Sequence, residues 1–157
     1  MKALILSVGV VSLLALGGQN AFACSCSPLR ASEIASMPAA EVAKRIAASH
    51  ATIFYGRVIK RSEAKWAYGT ALEVTFEVER YWKGANTKRI SIYTSLTEAS
   101  CGAPYQIGKK YLVIAMNLKD KLYTGYCEYL GATKLKDLYL SKFGSGERPH
   151  TAKPNKG

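Results

Sequence analysis

Apolar and polar residues alternate without a break over residues 72–79. This period of two is typical of a β-strand that buries one face. Residues 89–94 alternate in the same way, whereas residues 111–116 are continuously apolar and predict a central strand. Residues 52–59 and 122–126 contain β-branched and aromatic side chains and predict two further strands.

Helical spacing follows the alanine-rich stretch that begins at residue 31. Ser36 and Pro38 suit a helix start, and Val42 and Ile46 lie on one face at i and i+4. We therefore predict a helix over roughly 38–49 that packs on the strands.

The C-terminal part of the chain contains a second, shorter helical pattern. Leu135, Leu138 and Tyr139 have the spacing of one helix face. Residues 144–157 contain glycine, proline, lysine and asparagine without an apolar cluster, and we expect them to form a disordered basic tail.

The order of these elements indicates a mainly β domain over residues 24–143. Gly56 predicts a bulge or tight bend, residues 83–86 predict a turn, and residues 117–121 predict a tight turn before the last strand. Five strands with one or two helices fit a small OB-fold-like barrel. From the pattern alone, a generic β-sandwich fits almost as well.

Residues 1–23 have the features of a signal peptide. Lys2 precedes an apolar run, and Ala21-Phe22-Ala23 forms an A-x-A cleavage site. The run is shorter than the roughly 20 residues of a spanning helix, so a retained anchor is the weaker reading and we expect no transmembrane segment. Cleavage leaves 134 residues that begin at Cys24.

Lipoproteins also begin at a cysteine, but Phe22 is bulky where their signals have a small residue. We therefore expect a secreted or periplasmic protein, with a form lipid-anchored at Cys24 as the less favoured alternative. The formal charge of +11 falls to +10 because cleavage removes Lys2 and no acid. Such a surface suits anionic glycans or the cell envelope, whereas export argues against nucleic acid. Ordinary solubility explains the charge equally well.

Four cysteines lie in the exported part of the chain, at positions 24, 26, 101 and 127. An even count in an oxidising compartment predicts two disulfides. Cys24 and Cys26 are too close along the chain to bond to each other without strain, which leaves two crossed pairings open. Either pairing ties the N-terminus to the middle and late parts of the chain.

Few residues suggest catalysis or a metal site belonging to this chain. His50 and His150 are the two histidines, and neither belongs to an H-E-x-x-H motif. No G-x-S-x-G motif occurs, and the predicted disulfides leave no free thiol. We predict that the protein is not an enzyme and needs no cofactor. Seven aromatic residues fit either a stacking platform or ordinary strand composition, namely Tyr55, Tyr68, Tyr81, Trp82, Tyr93, Tyr105 and Tyr111.

The start of the exported chain, Cys24-Ser25-Cys26-Ser27-Pro28, resembles the N-terminal segment of the tissue inhibitors of metalloproteinases, which are netrin-like modules with an OB-fold. The likeness covers most of residues 24–127 and is that of a bacterial-type single-domain member. Other segments that carry it are Phe54 to Val58, Phe76 to Gly84, Glu98 to Gly102, Gly108 to Val113 and Thr124 to Cys127.

The resemblance implies the disulfides Cys24–Cys101 and Cys26–Cys127. It also implies an inhibitory edge that contacts the target protease. The residues that match this edge are Cys24, Ser25, Cys26, Ser27, Pro28, Ala99, Ser100 and Cys101. The chain departs from the family by lacking its third disulfide and its cysteine-rich C-terminal domain, and by inserting an alanine-rich helix.

The free α-amine and carbonyl oxygen of a first residue can chelate one metal ion in a five-membered ring. A catalytic zinc keeps an open position beside three protein ligands. We therefore predict that Cys24 fills this position in a target zinc metalloendopeptidase, and the resemblance places Ser25 in the primary specificity pocket. The alternative is a netrin-like adhesion module that binds an anionic glycan or envelope protein without inhibiting a protease.

Overall fold

The computed structural model describes residue 24 and residues 31–130 and 134–150. It is mainly β, as expected, with six strands and three α-helices in the described ranges instead of five strands and one or two helices. The helices are α1 (Ala31–Ser36), α2 (Ala39–Ser49) and α3 (Lys134–Phe143). The strands are β1 (Thr52–Trp66), β2 (Gly69–Lys83), β3 (Arg89–Thr94), β4 (Lys110–Leu118), β5 (Lys121–Tyr123) and β6 (Tyr129–Leu130).

Five of the strands pair in a closed ring. β1 pairs with β2, β2 with β3, β3 with β5, β5 with β4, and β4 with β1. All of these pairings are antiparallel except β3–β5, where Tyr93 lies opposite Tyr123 in parallel. β6 pairs with β4 beside β5. Each of the five strands in the ring therefore has a partner on both sides.

Strands β1 and β2 are both longer than the strands predicted over 52–59 and 72–79, and they form a hairpin that ends at the pair Trp66–Gly69. Its register shifts between Tyr55 and Gly56, which confirms the irregularity expected at this glycine. A Cβ atom on Gly56 would lie 2.6 Å from the carbonyl oxygen of Glu77. Only glycine allows the two backbones to approach this closely.

The hydrophobic core has two parts because β1 and β4 bury both of their faces. Within β4, Tyr111, Val113 and Ala115 face the interior of the ring and belong to the inner core. Leu112 and Ile114 face the other way, toward the helices, and belong to the outer core. This explains why residues 111–116 show no polar alternation. In β2, by contrast, only the residues at every second position from 72 to 78 join the inner core.

The helices cover the outer core, and the predicted helix over 38–49 is confirmed as α2. Val42 and Ile46 are buried there beside Tyr139 of α3, whose existence was also predicted. Lys83 Nζ donates to the carbonyl oxygens of Ala47 at 2.5 Å and His50 at 2.7 Å. This cation binds the carbonyl groups at the C-terminus of α2, where the helix dipole favours positive charge.

Helix α1 was not predicted separately, although its Ile34 is fully buried. Lys142 Nζ donates to the carbonyl oxygens of Ala35 at 3.0 Å and Met37 at 2.7 Å, at the end of α1. Both N-terminal helices therefore end at carbonyl groups that a distant lysine binds.

The last strand and the tail differ from the predictions. The strand predicted over 122–126 is shorter in the structure, where β5 ends at Tyr123. A two-residue turn precedes β5, and both of its residues, Lys119 and Asp120, have positive φ. We expected disorder from Gly144 onward, whereas residues 144–150 lie beside β2. There, Tyr81 and Glu147 form an isolated antiparallel bridge. Residues 151–157 and the predicted signal peptide lie outside the described residues.

Candidate functional site

Cys24 is disulfide-bonded to Cys101, which is the pairing implied by the resemblance. The two Cα atoms are 5.5 Å apart, and the bond closes a loop with a sequence separation of 77 residues. In the chain-entropy model, a loop of this length stabilises the folded state by about 4–5 kcal/mol. The sulfur of Cys24 also lies 3.6 Å from the carbonyl oxygen of Glu98, so residue 24 is held against the segment that contains Glu98 and Cys101.

The loop that carries Cys101 is ordered by its own hydrogen bonds, and we call residues 95–102 the edge loop. It contains a single 3₁₀ turn, Glu98–Ser100. Thr97 Oγ1 accepts from the Ser100 amide at 3.2 Å, and the Thr97 amide donates to Ser100 Oγ at 3.3 Å. These reciprocal bonds form a capping box, which fixes the start of the turn.

The end of the edge loop is equally constrained. Cys101 adopts a left-handed conformation with φ of 63°, and its amide donates to the carbonyl oxygen of Glu98 at 3.0 Å. The amide of Gly102 then donates to the Thr97 carbonyl at 2.8 Å. A Cβ atom on Gly102 would lie 2.1 Å from the carbonyl oxygen of Ser95, so the loop closes on itself only with glycine at this position.

The loop after β5 supports the edge loop from beside it. The amide of Tyr126 donates to the carbonyl oxygen of Cys101 at 2.8 Å. Thr124 Oγ1, which is buried, donates to the carbonyl of Ile114 at 3.0 Å. Tyr126, the residue before Cys127, is therefore in contact with Cys101. No described cysteine is free, and the pairing of Cys127 with Cys26 stays a prediction because Cys26 lies outside the described residues.

The structure therefore brings together four of the predicted contact residues. Cys24 and Cys101 are half-buried, whereas Ala99 and Ser100 are exposed at the turn. The other predicted contact residues, Ser25, Cys26, Ser27 and Pro28, lie outside the described residues. An exposed loop held by a disulfide can present a fixed shape to a partner at little entropic cost.

An aromatic patch beside the edge loop was not predicted as part of the site. Trp66 stacks on Tyr123, with ring centroids 5.2 Å apart and an interplanar angle of 16°. Tyr68 packs edge-on against Trp66 and is 65% exposed. The sequence signal was an aromatic pair placed directly before Gly69, at the end of a polar stretch. We call Trp66 and Tyr68 the hairpin patch.

Two shallow pockets flank Leu96 of the edge loop, which is itself 41% exposed. One, of about 330 Å³, lies between the edge loop and the hairpin patch. The other, of about 290 Å³, includes Arg61 and Pro104. The edge loop thus forms a ridge between two depressions, with apolar side chains exposed along it.

The residues that follow the edge loop lead directly into the inner core. Tyr105 is fully buried, and its ring lies 5.1 Å from Phe76 and 5.3 Å from Tyr129 between centroids. Burial raises the pKa of Tyr105 and of Tyr129 well above the ordinary value of a phenol, so both groups stay neutral. Tyr111, considered above as part of a stacking platform, also belongs to this core together with Tyr105.

Among residues 24, 31–130 and 134–150, no three histidine, cysteine or acidic side chains group as metal ligands would. Over the same residues, no helix is long and apolar enough to cross a bilayer. A scan against protein-family models finds no match for the chain, and a search of the curated proteins finds none either.

Proposed function

We propose that the chain is a secreted inhibitor of zinc metalloendopeptidases and that its Cys24 chelates the target's catalytic zinc. The observation that carries this proposal is the disulfide that holds residue 24 against the exposed, internally hydrogen-bonded edge loop. The same arrangement was expected from the resemblance to the tissue inhibitors of metalloproteinases.

The strand order supports a netrin-like module with an OB-fold barrel. The ring runs β1-β2-β3-β5-β4 and returns to β1, with a parallel contact between β3 and β5. An OB-fold is a five-stranded barrel, and a ring of five strands is compatible with it. The helical layer of α1, α2 and α3 is the main departure, and it packs on the outer core, which contains no residue of the edge loop.

The chemistry of the first residue provides the mechanism. After cleavage behind Ala23, the α-amine and the carbonyl oxygen of Cys24 chelate the zinc and displace the water that would attack the substrate. Only the unprotonated amine coordinates, and its ordinary pKa of about 7.7–8.0 makes this form accessible near neutral pH. The thiol is not a ligand, because its sulfur is bonded to Cys101.

The surroundings of Cys24 suit a protein partner. Ala99 and Ser100 are exposed beside it, and Leu96 and Tyr68 expose apolar surface on the same side of the ring. Aromatic and aliphatic side chains of this kind dominate the energetics of protein interfaces. Ser25 enters the primary specificity pocket in this proposal, and Ser27 and Pro28 extend the contact.

Export through a signal peptide over residues 1–23 belongs to the same proposal. A disulfide such as Cys24–Cys101 persists in oxidising compartments outside the cytosol. Because both the cleavage and the free amine are required, the mass of the purified exported protein is the first measurement. It should correspond to a chain that starts at Cys24, carries no lipid and contains two disulfides.

The decisive test is inhibition of a panel of zinc metalloendopeptidases by the exported protein and by a variant with one alanine inserted before Cys24. The insertion turns the Cys24 nitrogen into a peptide nitrogen and moves the free amine one residue beyond the disulfide that fixes its position, so we expect a loss of about 100-fold in inhibition. Insertion of one alanine after Gly146, remote from the edge loop, serves as the control. A protein that inhibits none of the panel would instead be a binding module, and equal inhibition by both chains would exclude the chelate.

A further inference from the structure

A charged groove lies at the opposite end of β3 from the edge loop. Thr94, beside the edge loop, pairs with Leu72, whereas Arg89 pairs with Glu77. The two pairs are five residue steps apart, which corresponds to about 17 Å along the strand. The groove has a volume of about 490 Å³, and its charged lining residues are Arg57, Glu77, Glu79, Lys88, Arg89 and Arg148.

The two carboxylates of the groove already have cationic partners. Arg57 Nη2 lies 2.9 Å from Glu77 Oε2, and Lys110 Nζ lies 2.9 Å from Glu79 Oε1. Lys88, Arg89 and Arg148 form no ion pair with any carboxylate in the described ranges. The groove therefore contains three cations whose charge no acidic side chain of the described protein compensates.

Arg148 belongs to the groove because the C-terminal segment is held on both sides of it, by β2 before it and by Asn86 of the turn after β2 beyond it. The backbone amide of Glu147 donates to the Tyr81 carbonyl at 2.8 Å, and the amide of Tyr81 donates to the Glu147 carbonyl at 2.8 Å. The Tyr81 hydroxyl donates to Glu147 Oε2 at 2.7 Å. Beyond Arg148, the amide of His150 donates to Asn86 Oδ1 at 3.1 Å. Four hydrogen bonds thus place one cation of the segment in the same groove as Lys88 and Arg89.

We propose that this groove binds an anionic polysaccharide. Guanidinium groups recognise sulfate and carboxylate groups through paired N–H donors, and Arg89 and Arg148 supply two of them. An extended polymer suits an open groove whose three unpaired cations come from two distant parts of the chain, residues 88–89 and residue 148.

The composition of the groove argues against other polyanions. Among the residues that the structure describes, no aromatic ring lines it, so the bases of a single-stranded nucleic acid have nothing there to stack on. None of the four large exposed apolar side chains of the described protein, Ile59, Tyr68, Leu96 and Ile107, lines it either. A membrane-binding surface normally inserts such side chains among the lipids.

The polysaccharide site is independent of the proposed inhibitory function, because the two lie at opposite ends of β3. A molecule bound to a polysaccharide through the groove keeps its edge loop accessible. The polymer would therefore hold the protein at a surface while its other end remains available to a protease.

The test measures binding of the exported protein to heparin, used as a sulfated polysaccharide, at about 0.15 M salt. Each cation near a polyanionic surface contributes about fivefold to affinity, so the double variant Arg89→Ala with Arg148→Ala should bind about 25-fold more weakly. Lys44→Ala with Lys119→Asn removes the same charge from α2 and from the β4–β5 turn, and should bind as the unmodified protein does. Asparagine tolerates the positive φ of 49° at position 119.

Equal weakening by the two double variants would overturn the proposal, because binding would then depend on net charge alone. Tighter binding to a single-stranded DNA oligonucleotide or to phosphatidylglycerol vesicles than to heparin would overturn the choice of a polysaccharide. Both double variants should inhibit metalloendopeptidases equally well, and this separates a failure of the groove from a failure of the edge loop.

Discussion

The two ends of β3 differ in what defines them. At one end, the edge loop is defined by backbone hydrogen bonds, a left-handed residue and a disulfide. At the other end, the groove is defined by exposed cations that the backbone only positions. The difference teaches that one small domain can carry a surface that depends on shape and another that depends on charge.

These two kinds of surface respond to different changes. Recognition by shape fails when the backbone moves by about an ångström, and it depends little on salt. Recognition by exposed charge tolerates small movements, but it weakens as salt screens the interaction, with a Debye length of about 8 Å at physiological ionic strength. Variants at one end should therefore leave the function of the other end unchanged.

Removal of the Cys24–Cys101 disulfide should have the largest effect. The double variant Cys24→Ala with Cys101→Ala keeps the α-amine and the carbonyl but releases them from the edge loop. We expect the free energy of unfolding in urea to fall by about 4–5 kcal/mol and inhibition to fall by about 100-fold. Heparin binding, measured where the variant is folded, should stay within twofold, and unchanged inhibition would contradict the proposed role of the disulfide.

Gly102→Ala should change the shape of the edge loop while the Cys24–Cys101 disulfide stays in place. The new Cβ atom would meet the carbonyl oxygen of Ser95, so the edge loop must shift while the disulfide remains. We expect a loss of stability of about 1–3 kcal/mol by thermal unfolding and a loss of inhibition of about tenfold.

Gly108→Ala is the control for this change. Gly108 has φ of +83° and no neighbouring atom within 4 Å of a built Cβ, so alanine introduces backbone strain without a collision. It should cost about 1–2 kcal/mol and leave inhibition unchanged. If both glycine variants lowered inhibition equally, general destabilisation would explain the effect of Gly102→Ala.

Truncation of the exposed apolar side chains should have a smaller effect. Tyr68→Ala or Leu96→Ala removes a contact beside the edge loop, and each should weaken inhibition by about 5–10-fold. Thermal stability should change by about 0.5 kcal/mol or less, because both side chains are exposed. Ile107→Ala, at a side chain that is 63% exposed and lines neither pocket at Leu96, should leave inhibition unchanged.

Strands with one buried face were predictable from the sequence because burial imposes a period of two. Val74 and Phe76 are buried, and the flanking Glu73 and Glu77 are not. The extension of β1 from residue 60 to Trp66 was missed, since it contains a run of polar residues without alternation. β6 was missed because a two-residue strand has no period at all.

The site was less predictable because its contacts are between distant backbones. The cysteines alone left two pairings open, and the resemblance was needed to select Cys24–Cys101. The segment around Glu147 was expected to be disordered because it contains no apolar cluster. Its main contacts are backbone hydrogen bonds to Tyr81 and a close approach of Gly146 to Trp82. Neither contact requires an apolar side chain in the tail, so hydropathy could not reveal them.

The smallest predicted effects come from removing one hydroxyl group at each end of β3. Tyr123→Phe removes the 3.1 Å contact between Tyr123 and the hydroxyl of Ser95 in the edge loop. Tyr81→Phe removes the hydrogen bond to Glu147 that helps to place Arg148. We expect Tyr123→Phe to weaken inhibition about two- to threefold, since a neutral hydrogen bond contributes little net free energy. Tyr81→Phe should weaken heparin binding by the same factor, because its bond to the Glu147 carboxylate is exposed to solvent and acts on Arg148 only through the backbone.

Each variant is the control for the other, because both remove the same atom and leave a phenylalanine ring in place. The hydrogen bond to Glu147 raises the pKa of Tyr81, so this phenol is neutral and donates at every pH at which heparin binding would be measured. Its contribution is present below the ordinary pKa of a phenol, about 10, and is lost only as the pH rises through the raised value. A heparin affinity that responded to Tyr123→Phe, or an inhibition constant that responded to Tyr81→Phe, would show that the two ends of β3 are coupled, contrary to the division of the surface into two independent sites.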